Sequence, residues 1–192
     1  VPSGVDELQA LEMMMDSYRS ERQQNSEHIA AQLQMLRHQM LCLILNGRER
    51  TPNSRIMQEL GIGFPHGYFF VAVVAPDRSA AQAEGTLMQI SRELASPAVS
   101  SYVTLSDEGN LIAILVNVMN LDLRRETMEQ FMRCIKQAGL TAMCGVSSCV
   151  AQMNRLRMCF IEAVSALNAA GDASLIFYED LQSQPVQLSK RL

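Results

Sequence analysis

The feature that most constrains the fold is a stretch from Val5 to Asn46 that contains neither Gly nor Pro. Gln, Glu, Met, Leu and Arg dominate it, and all of these residues favour helices. The pair Asn46-Gly47 then supplies a natural end, since Gly readily adopts the left-handed conformation found after helix C-termini. The sequence therefore predicts one long helix over residues 5–46.

Apolar residues recur in this helix at alternating spacings of three and four, as in the seam of a coiled coil. Between two groups of them, residues 19–28 are wholly polar, and the seam slips by one residue across this segment. Such a slip changes how two helices wind around each other. Two interpretations stay open: a parallel two-stranded stalk that passes a signal, or a helix whose second half packs on its own domain. The seam residues are Leu8, Leu11, Met15, Tyr18, Ile29, Leu33, Leu36, Met40 and Leu43.

After residue 67 the pattern changes to short apolar runs that alternate with amphipathic segments. Tyr68–Ala75 is a continuous apolar, β-branched and aromatic run, which is typical of a central strand. The resulting order, β-α-β-β-α-β-α-β, predicts an α+β fold of the ferredoxin-like kind: one mixed sheet with helices covering a face. The remaining predicted elements are a short helix from Pro52 to Leu60, helices over 79–94, 121–137 and 154–170, and strands over 99–105, 111–118, 141–150 and 175–178.

These elements divide the chain into four parts. Residues 1–47 form a helical linker or coiled coil, residues 48–67 a short helix and connecting loop, and residues 68–181 the α+β domain. Residues 182–192 form a polar tail that leads to a further domain. Because the chain starts at Val1 and enters the helix at once, we expect it to be a fragment of a longer protein.

Composition argues against several classes of function. The net charge is −4 and the 16 Lys and Arg residues are scattered, so this fragment is not expected to bind nucleic acid directly. No apolar run reaches 18 residues, so we expect no membrane contact by the fragment and a cytoplasmic location, either by itself or as the cytoplasmic part of a membrane protein. The five Cys form no CxxC pair, which indicates buried reduced thiols and no metal site. These cysteines are Cys42, Cys134, Cys144, Cys149 and Cys159.

Several short segments, in this order and spacing, carry a family resemblance. They are LILNGR at 43–48, LGIGFP at 60–65 leading into YFFVAV at 68–73, GVSS at 145–148, EAVSAL at 162–167 and FYEDL at 177–181. Together with the element order they resemble the GGDEF cyclase fold. More closely, they resemble the degenerate GGDEF-like middle domain of bacterial transcription regulators, either the purine-catabolism and sugar-diacid type or, nearer still, the large membrane-associated AraC-type regulators of Gram-positive bacteria.

The resemblance implies a position within a longer, multidomain protein. In such regulators a sensor and a membrane segment lie upstream, a helical linker enters the cytoplasm, and a helix-turn-helix DNA reader follows the GGDEF-like domain. This chain would be the linker plus the middle domain, with the reader beyond Leu192. It would act as a homodimer that relays a signal, while DNA binding would belong to the full-length protein.

The hairpin that carries metal-binding carboxylates in cyclases is altered in this sequence. Aligning the apolar strands places Gly109 near one Gly of the motif, and Asn110 and Leu111 near its acidic pair. Leu cannot bind a metal and Asn is a neutral, weaker ligand. A second acid is expected within the first strand, but the first acid there is Asp77, and no Lys follows in the next helix. The sequence thus predicts no cyclase activity, no catalytic residues, and no metal or cofactor.

Besides the signal relay, two other functions remain as the second and third options. The altered cleft near Asp77, Asp107, Glu108 and Asn110 could bind a nucleotide or another small molecule without turning it over. Against this, Asp107 and Glu108 also fit a solvated hairpin turn. A third option is a scaffold that binds a helix of another protein.

Overall fold

The structure is a computed structural model that describes residues 4–48, 53–106, 109–171 and 173–182. The chain divides into two units, Val1–Arg37 and His38–Leu192. Helix α1 runs from Gly4 to Leu45 and confirms the long N-terminal helix. Among the described residues, no helix combines the length and apolarity needed to cross a bilayer.

The unit from His38 onward has the predicted α+β architecture. Its elements occur in the expected order, and an additional 3₁₀ turn, Met153–Arg155, precedes α5. They are α2 (Ser54–Glu59), β1 (Tyr68–Pro76), α3 (Ala80–Glu93), β2 (Val99–Leu105), β3 (Ile112–Val118), α4 (Leu123–Gln137), β4 (Ala142–Val146), α5 (Leu156–Asn168), β5 (Leu175–Phe177) and α6 (Tyr178–Gln182).

The five strands form one mixed sheet in the order β2-β3-β1-β4-β5. All neighbouring strands are antiparallel except β4 and β5, which are parallel. Strand β1 lies at the centre, paired with β3 through Val71 opposite Leu115. Both strands are almost entirely buried, because their uninterrupted apolar sequences can be desolvated on both faces.

Helices cover both faces of the sheet, not one face as the sequence suggested. Phe70 and its alternate neighbours in β1 pack with α3 and α4, including Leu87 and Phe131. The opposite side of β1, represented by Val71, packs with α5, α2 and the last turns of α1. Successive side chains of a strand point to opposite faces, so a strand that is apolar at every position needs a cover on each side.

Three boundaries differ from the sequence prediction. Strand β4 ends at Val146 instead of Val150, because its continuous pairing with β1 ends there and the next contact between the two segments is a single bridge between Val150 and Phe69. The short helix begins at Ser54, capped by the side chain of Asn53, and Pro52 lies outside the described residues. Helix α6 was not predicted and occupies the end of the segment assigned to β5 and the tail.

Candidate functional site

The exposed row of apolar residues on α1 is the first candidate site. Met15, Ile29, Leu36 and Leu43 are separated by multiples of seven residues and are 54%, 56%, 50% and 39% exposed. Leu33, four residues after Ile29, is also exposed. The side chains of three predicted seam residues, Leu8, Leu11 and Tyr18, lie outside what the structure describes. We call this set from Met15 to Leu43 the α1 row.

The surface around the second half of the α1 row is unusually poor in charge. From Ile29 to Leu45 the sequence contains one Lys, Arg, Asp or Glu, which is Arg37. A helix that stays in solvent normally presents charged side chains on its outer face. Exposed apolar residues at regular spacing, with almost no charge beside them, are instead typical of a surface that another helix covers.

The last turns of α1 are built into the core of the His38–Leu192 unit. Leu41, Ile44 and Leu45 are at most 4% exposed and belong to the cluster on the α5 side of the sheet. Met40, a predicted seam residue, is partly buried against the same cluster. Packing of the helix on its own domain therefore holds for these turns, while Leu43 remains on the exposed side.

A polar contact that the sequence did not indicate joins α1 to the edge strand β2. The Nδ1 atom of His38 lies 2.6 Å from Oγ1 of Thr104, a residue that is 1% exposed. The Sγ atom of Cys42 lies 3.8 Å from the same hydroxyl and 3.6 Å from the carbonyl oxygen of Leu105. These side chains fix the last turns of the helix against one end of β2.

The second candidate site is the turn between β2 and β3, where Asn110 links the hairpin to the loop after β1. Its Nδ2 donates to the carbonyl of Arg78 at 2.9 Å, and its Oδ1 accepts from the backbone N–H of Ala80. Ala80 begins α3, and a free N–H at a helix N-terminus is a common anchor for phosphate. Here the amide of Asn110 already occupies that donor, and Gly109 with φ 67° gives the turn its shape.

The other predicted cleft residues contribute little to a common site in the part of the chain that the structure describes. Asp77 follows β1 and is about half exposed, and its carboxylate lies 3.7 Å from Nε of the adjacent Arg78. Asp107 and Glu108 lie outside the described residues. No group of three or more His, Cys, Asp or Glu able to hold a metal ion occurs among the described residues. Of the predicted cleft residues, the structure therefore places Asn110 in contact with Arg78, the residue that follows Asp77.

A third cluster, missed at the sequence level, lies where β4 and β5 end. Nη1 of Arg124 donates to the carbonyl of Ser147 at 2.7 Å and to the carboxylate of Glu179 at 2.6 Å. Next to it, the guanidinium of Arg125 lies 4.0 Å above the ring of Phe177. These contacts attach α6, which starts immediately after β5, to the first turn of α4. The acidic and aromatic residues of the FYEDL segment were the only signal available in advance.

The five cysteines are not all buried, contrary to the sequence prediction. All five are free; Cys144 and Cys159 are buried and the other three are partly buried. Burial raises the pKa of the Cys144 thiol to about 12 and the pKa values of Cys149 and Cys159 to about 11. Thiols with such values stay protonated near neutral pH and are poor nucleophiles and poor metal ligands.

Comparisons with known proteins give the chain a family. No curated protein sequence matches it. Among solved structures, the diguanylate cyclase SiaD of Pseudomonas aeruginosa, in complex with its activator SiaC, is 14% identical over 90% of this chain and 73% of that chain, with a TM-score of 0.47. A regulator of polyketide synthase expression from Bifidobacterium adolescentis is 13% identical over 75% of this chain and 57% of that chain, with a TM-score of 0.45.

The family model described as "GGDEF-like domain" matches residues 46–169, which is more than half of the chain. The match begins at the end of α1 and extends just past the end of α5, so it includes the first four strands of the sheet and the helices on both of its faces. On this evidence the chain belongs to the family of GGDEF-like domains.

Proposed function

We propose that this chain is a non-catalytic signal-relay and dimerisation module of a bacterial transcription regulator. In this role α1 pairs with α1 of a second copy and carries a change of position from an upstream sensor to a downstream DNA reader. The observation that carries the proposal is the α1 row: exposed, regularly spaced and apolar, on a helix whose last turns are part of a folded core.

A second copy of the same helix is the occupant that best fits the α1 row. In a parallel pair in register, each residue of the row meets its own counterpart, so Ile29 contacts Ile29 and Leu36 contacts Leu36. At 1.5 Å per residue, a helix of 42 residues is about 63 Å long, which offers a long seam. Burial of such side chains in the seam would offset the cost of ordering two helices together.

Transmission of movement follows from the way α1 ends. Ile44 is 2% exposed and packs in the same cluster as Val71 and Leu115, which lie on the two central strands. A close-packed core cannot absorb a rotation of the helix by small deformation, so the sheet must move with it or repack. Packing of this kind suits a relay, because a displacement of the last turns of α1 has to be met by the sheet against which they pack.

The non-catalytic assignment is supported by the β2–β3 turn. Asn110 occupies the position that aligns with an acidic residue of the cyclase motif, and its side chain is used to hold the loop after β1. Leu111 takes the adjacent acidic position and offers no oxygen ligand for a metal ion. Phosphoryl transfer needs charge stabilisation that neither side chain provides.

The assignment to AraC-type regulators rests on the sequence resemblance alone. A DNA reader that recognises two half-sites needs its protomers at a fixed spacing, and a dimeric module upstream of the reader can set that spacing. The contact of Arg124 with Glu179 supports such a role, since it holds the segment leading to the C-terminus against the domain.

The experiment that tests the proposal is a mass measurement of the 192-residue chain by light scattering at several concentrations. Replacing Ile29 and Leu36 with Lys puts two positive charges on each of the two paired helices, so we expect the mass to fall from dimer to monomer. The matched control replaces Gln24 and Ala31 with Lys, which keeps the seven-residue spacing but lies on the opposite, exposed face. A monomeric wild type, or equal masses for both variants, would overturn the proposal.

A further inference from the structure

Arg22 interrupts the α1 row without breaking its spacing. It lies seven residues after Met15 and seven before Ile29, and its side chain is exposed. The residues three and four positions after it, Asn25 and Ser26, are both polar, whereas Met15 and Ile29 are followed at these spacings by Tyr18 and Leu33. Residues 22–26 are therefore a polar part of an otherwise apolar row over Met15–Leu43.

A pairing partner for Arg22 is absent along its own helix. The residues at three and four positions on either side of it are Tyr18, Arg19, Asn25 and Ser26, none of which is acidic. The adjacent residue Glu21 has no basic residue at these spacings either. Side chains one position apart do not face each other on a helix, so the two charges cannot neutralise each other within one chain.

In a parallel pair in register the two charges do come together. Arg22 then faces Arg22 of the second copy, and Glu21, one position before the row, flanks that layer and reaches across to the opposite Arg22. The layer would hold two guanidinium groups and two carboxylates in a symmetric arrangement. A shift of the pair by seven residues would place Arg22 against Met15 or Ile29 and separate it from the Glu21 of the second copy.

We propose that Arg22 and the Glu21 of a second copy form a polar layer that fixes the two helices parallel and in register. A single polar position in a coiled-coil seam is known to set register and orientation at a cost in stability. The inference rests on the proposed dimer, and goes beyond it by specifying orientation, alignment and the two residues responsible. It also makes this layer the weakest part of the seam.

A charge-swap experiment tests the layer, with the dimer dissociation constant measured by sedimentation velocity. Either R22E or E21R alone gathers four like charges in the layer, and we expect each to weaken the dimer by about tenfold. The double variant E21R/R22E restores opposite charges between the chains, so its dissociation constant should return to near the wild-type value. R22L removes the polar layer and should tighten the dimer.

The outcomes separate this inference from the proposed function. If the wild type dimerises but the double variant is no better than the single ones, the charges do not meet across the pair and the layer is overturned while the dimer stands. An unchanged dissociation constant for R22L would likewise show that residue 22 lies outside the seam. A monomeric wild type would instead overturn the dimer itself.

Discussion

The imidazole Nδ1 of His38 lies 2.6 Å from the buried hydroxyl of Thr104, and this contact joins the first residue of the folded unit to its edge strand. Thr104→Val keeps the shape of the side chain but removes the hydrogen bond. We expect the free energy of unfolding to fall by about 1 kcal/mol, as for other part-buried hydrogen bonds. Thr141→Val, at an exposed position, is the control in urea unfolding and should be close to neutral. Equal effects would show that the contact contributes nothing.

Gly145 in β4 lies against the backbone of α5, and this closeness predicts a large effect of adding one methyl group. A Cβ at this position would be 2.1 Å from the carbonyl oxygen of Ala163 and 2.4 Å from the nitrogen of Leu167. Neither backbone atom can move without shifting the helix, so Gly145→Ala should destabilise the fold by about 3 kcal/mol or prevent folding.

The control for this prediction is another Gly→Ala replacement. Gly85 lies within α3, and a Cβ there would meet nothing within 4 Å. Gly85→Ala should therefore stabilise the protein by up to about 1 kcal/mol, because Ala favours helix over Gly. Thermal unfolding that gives the two variants similar midpoints would contradict the close strand–helix packing.

Periodicity was sufficient to predict the order of the α-helices and strands from α1 to β5, but not α6. The run Tyr68–Ala75 could only be a buried strand, and the Gly-free, Pro-free stretch before Asn46 could only be a long helix. Local patterns failed where tertiary pairing decides the outcome. The apolar residues up to Val150 favour strand, yet β4 stops at Val146 because residues 147–149 lie opposite only two residues of β1, which interrupts the pairing before the single bridge of Val150 with Phe69.

The contacts that hold the candidate sites together were beyond reach of the sequence. His38 and Thr104 are 66 residues apart, and Arg124 and Glu179 are 55 residues apart, so no short-range spacing connects them. Asn117 is a similar case. It lies within an apolar strand, is fully buried, and binds the backbone of the loop before β1 through its amide. A single polar residue in an apolar run indicates that its side chain has a hydrogen-bond partner in the folded chain, but it does not identify that partner.

The ion pair between Arg124 and Glu179 should stabilise the attachment of α6 to α4. A double-mutant cycle with Arg124→Met and Glu179→Gln measures the coupling free energy, which we expect to be about 1 kcal/mol because the Arg side chain is only 16% exposed. The neighbouring pair of Arg125 and Asp180 is about half exposed on both sides and serves as the control, with an expected coupling of less than about 0.5 kcal/mol. Equal couplings would contradict the special role of Arg124.

The buried thiols predict a loss of stability at alkaline pH. Burial raises the pKa of Cys144 to about 12 in the folded chain, above the ordinary value of 9.0. Below pH 9 the thiol is protonated whether the chain is folded or unfolded. The contribution of the buried thiol to the free energy of unfolding is therefore fully present there. As the pH rises toward 12 the unfolded chain gains more from ionisation, and the free energy of unfolding should fall.

Urea unfolding between pH 8 and 11 measures this decline. Cys144→Ala removes the ionising group, so its stability should depend less steeply on pH than that of the wild type. Cys134→Ala, at a partly buried position, is the matched control for the loss of a thiol. If the free energies of unfolding of all three proteins fall equally steeply with pH, the Cys144 thiol does not cause the loss of stability at alkaline pH.

The β2–β3 turn decides between a relay and a ligand sensor. Because the side chain of Asn110 already binds the N–H of Ala80 and the carbonyl of Arg78, a phosphate group finds the first N–H of α3 occupied. We therefore expect nucleoside triphosphates with Mg²⁺ to leave the midpoint of thermal unfolding unchanged at all concentrations. A midpoint that rises with nucleotide concentration, and no longer does so in the variant Asp77→Asn, would instead favour the sensor, since only a ligand that binds the folded chain raises the midpoint in this way.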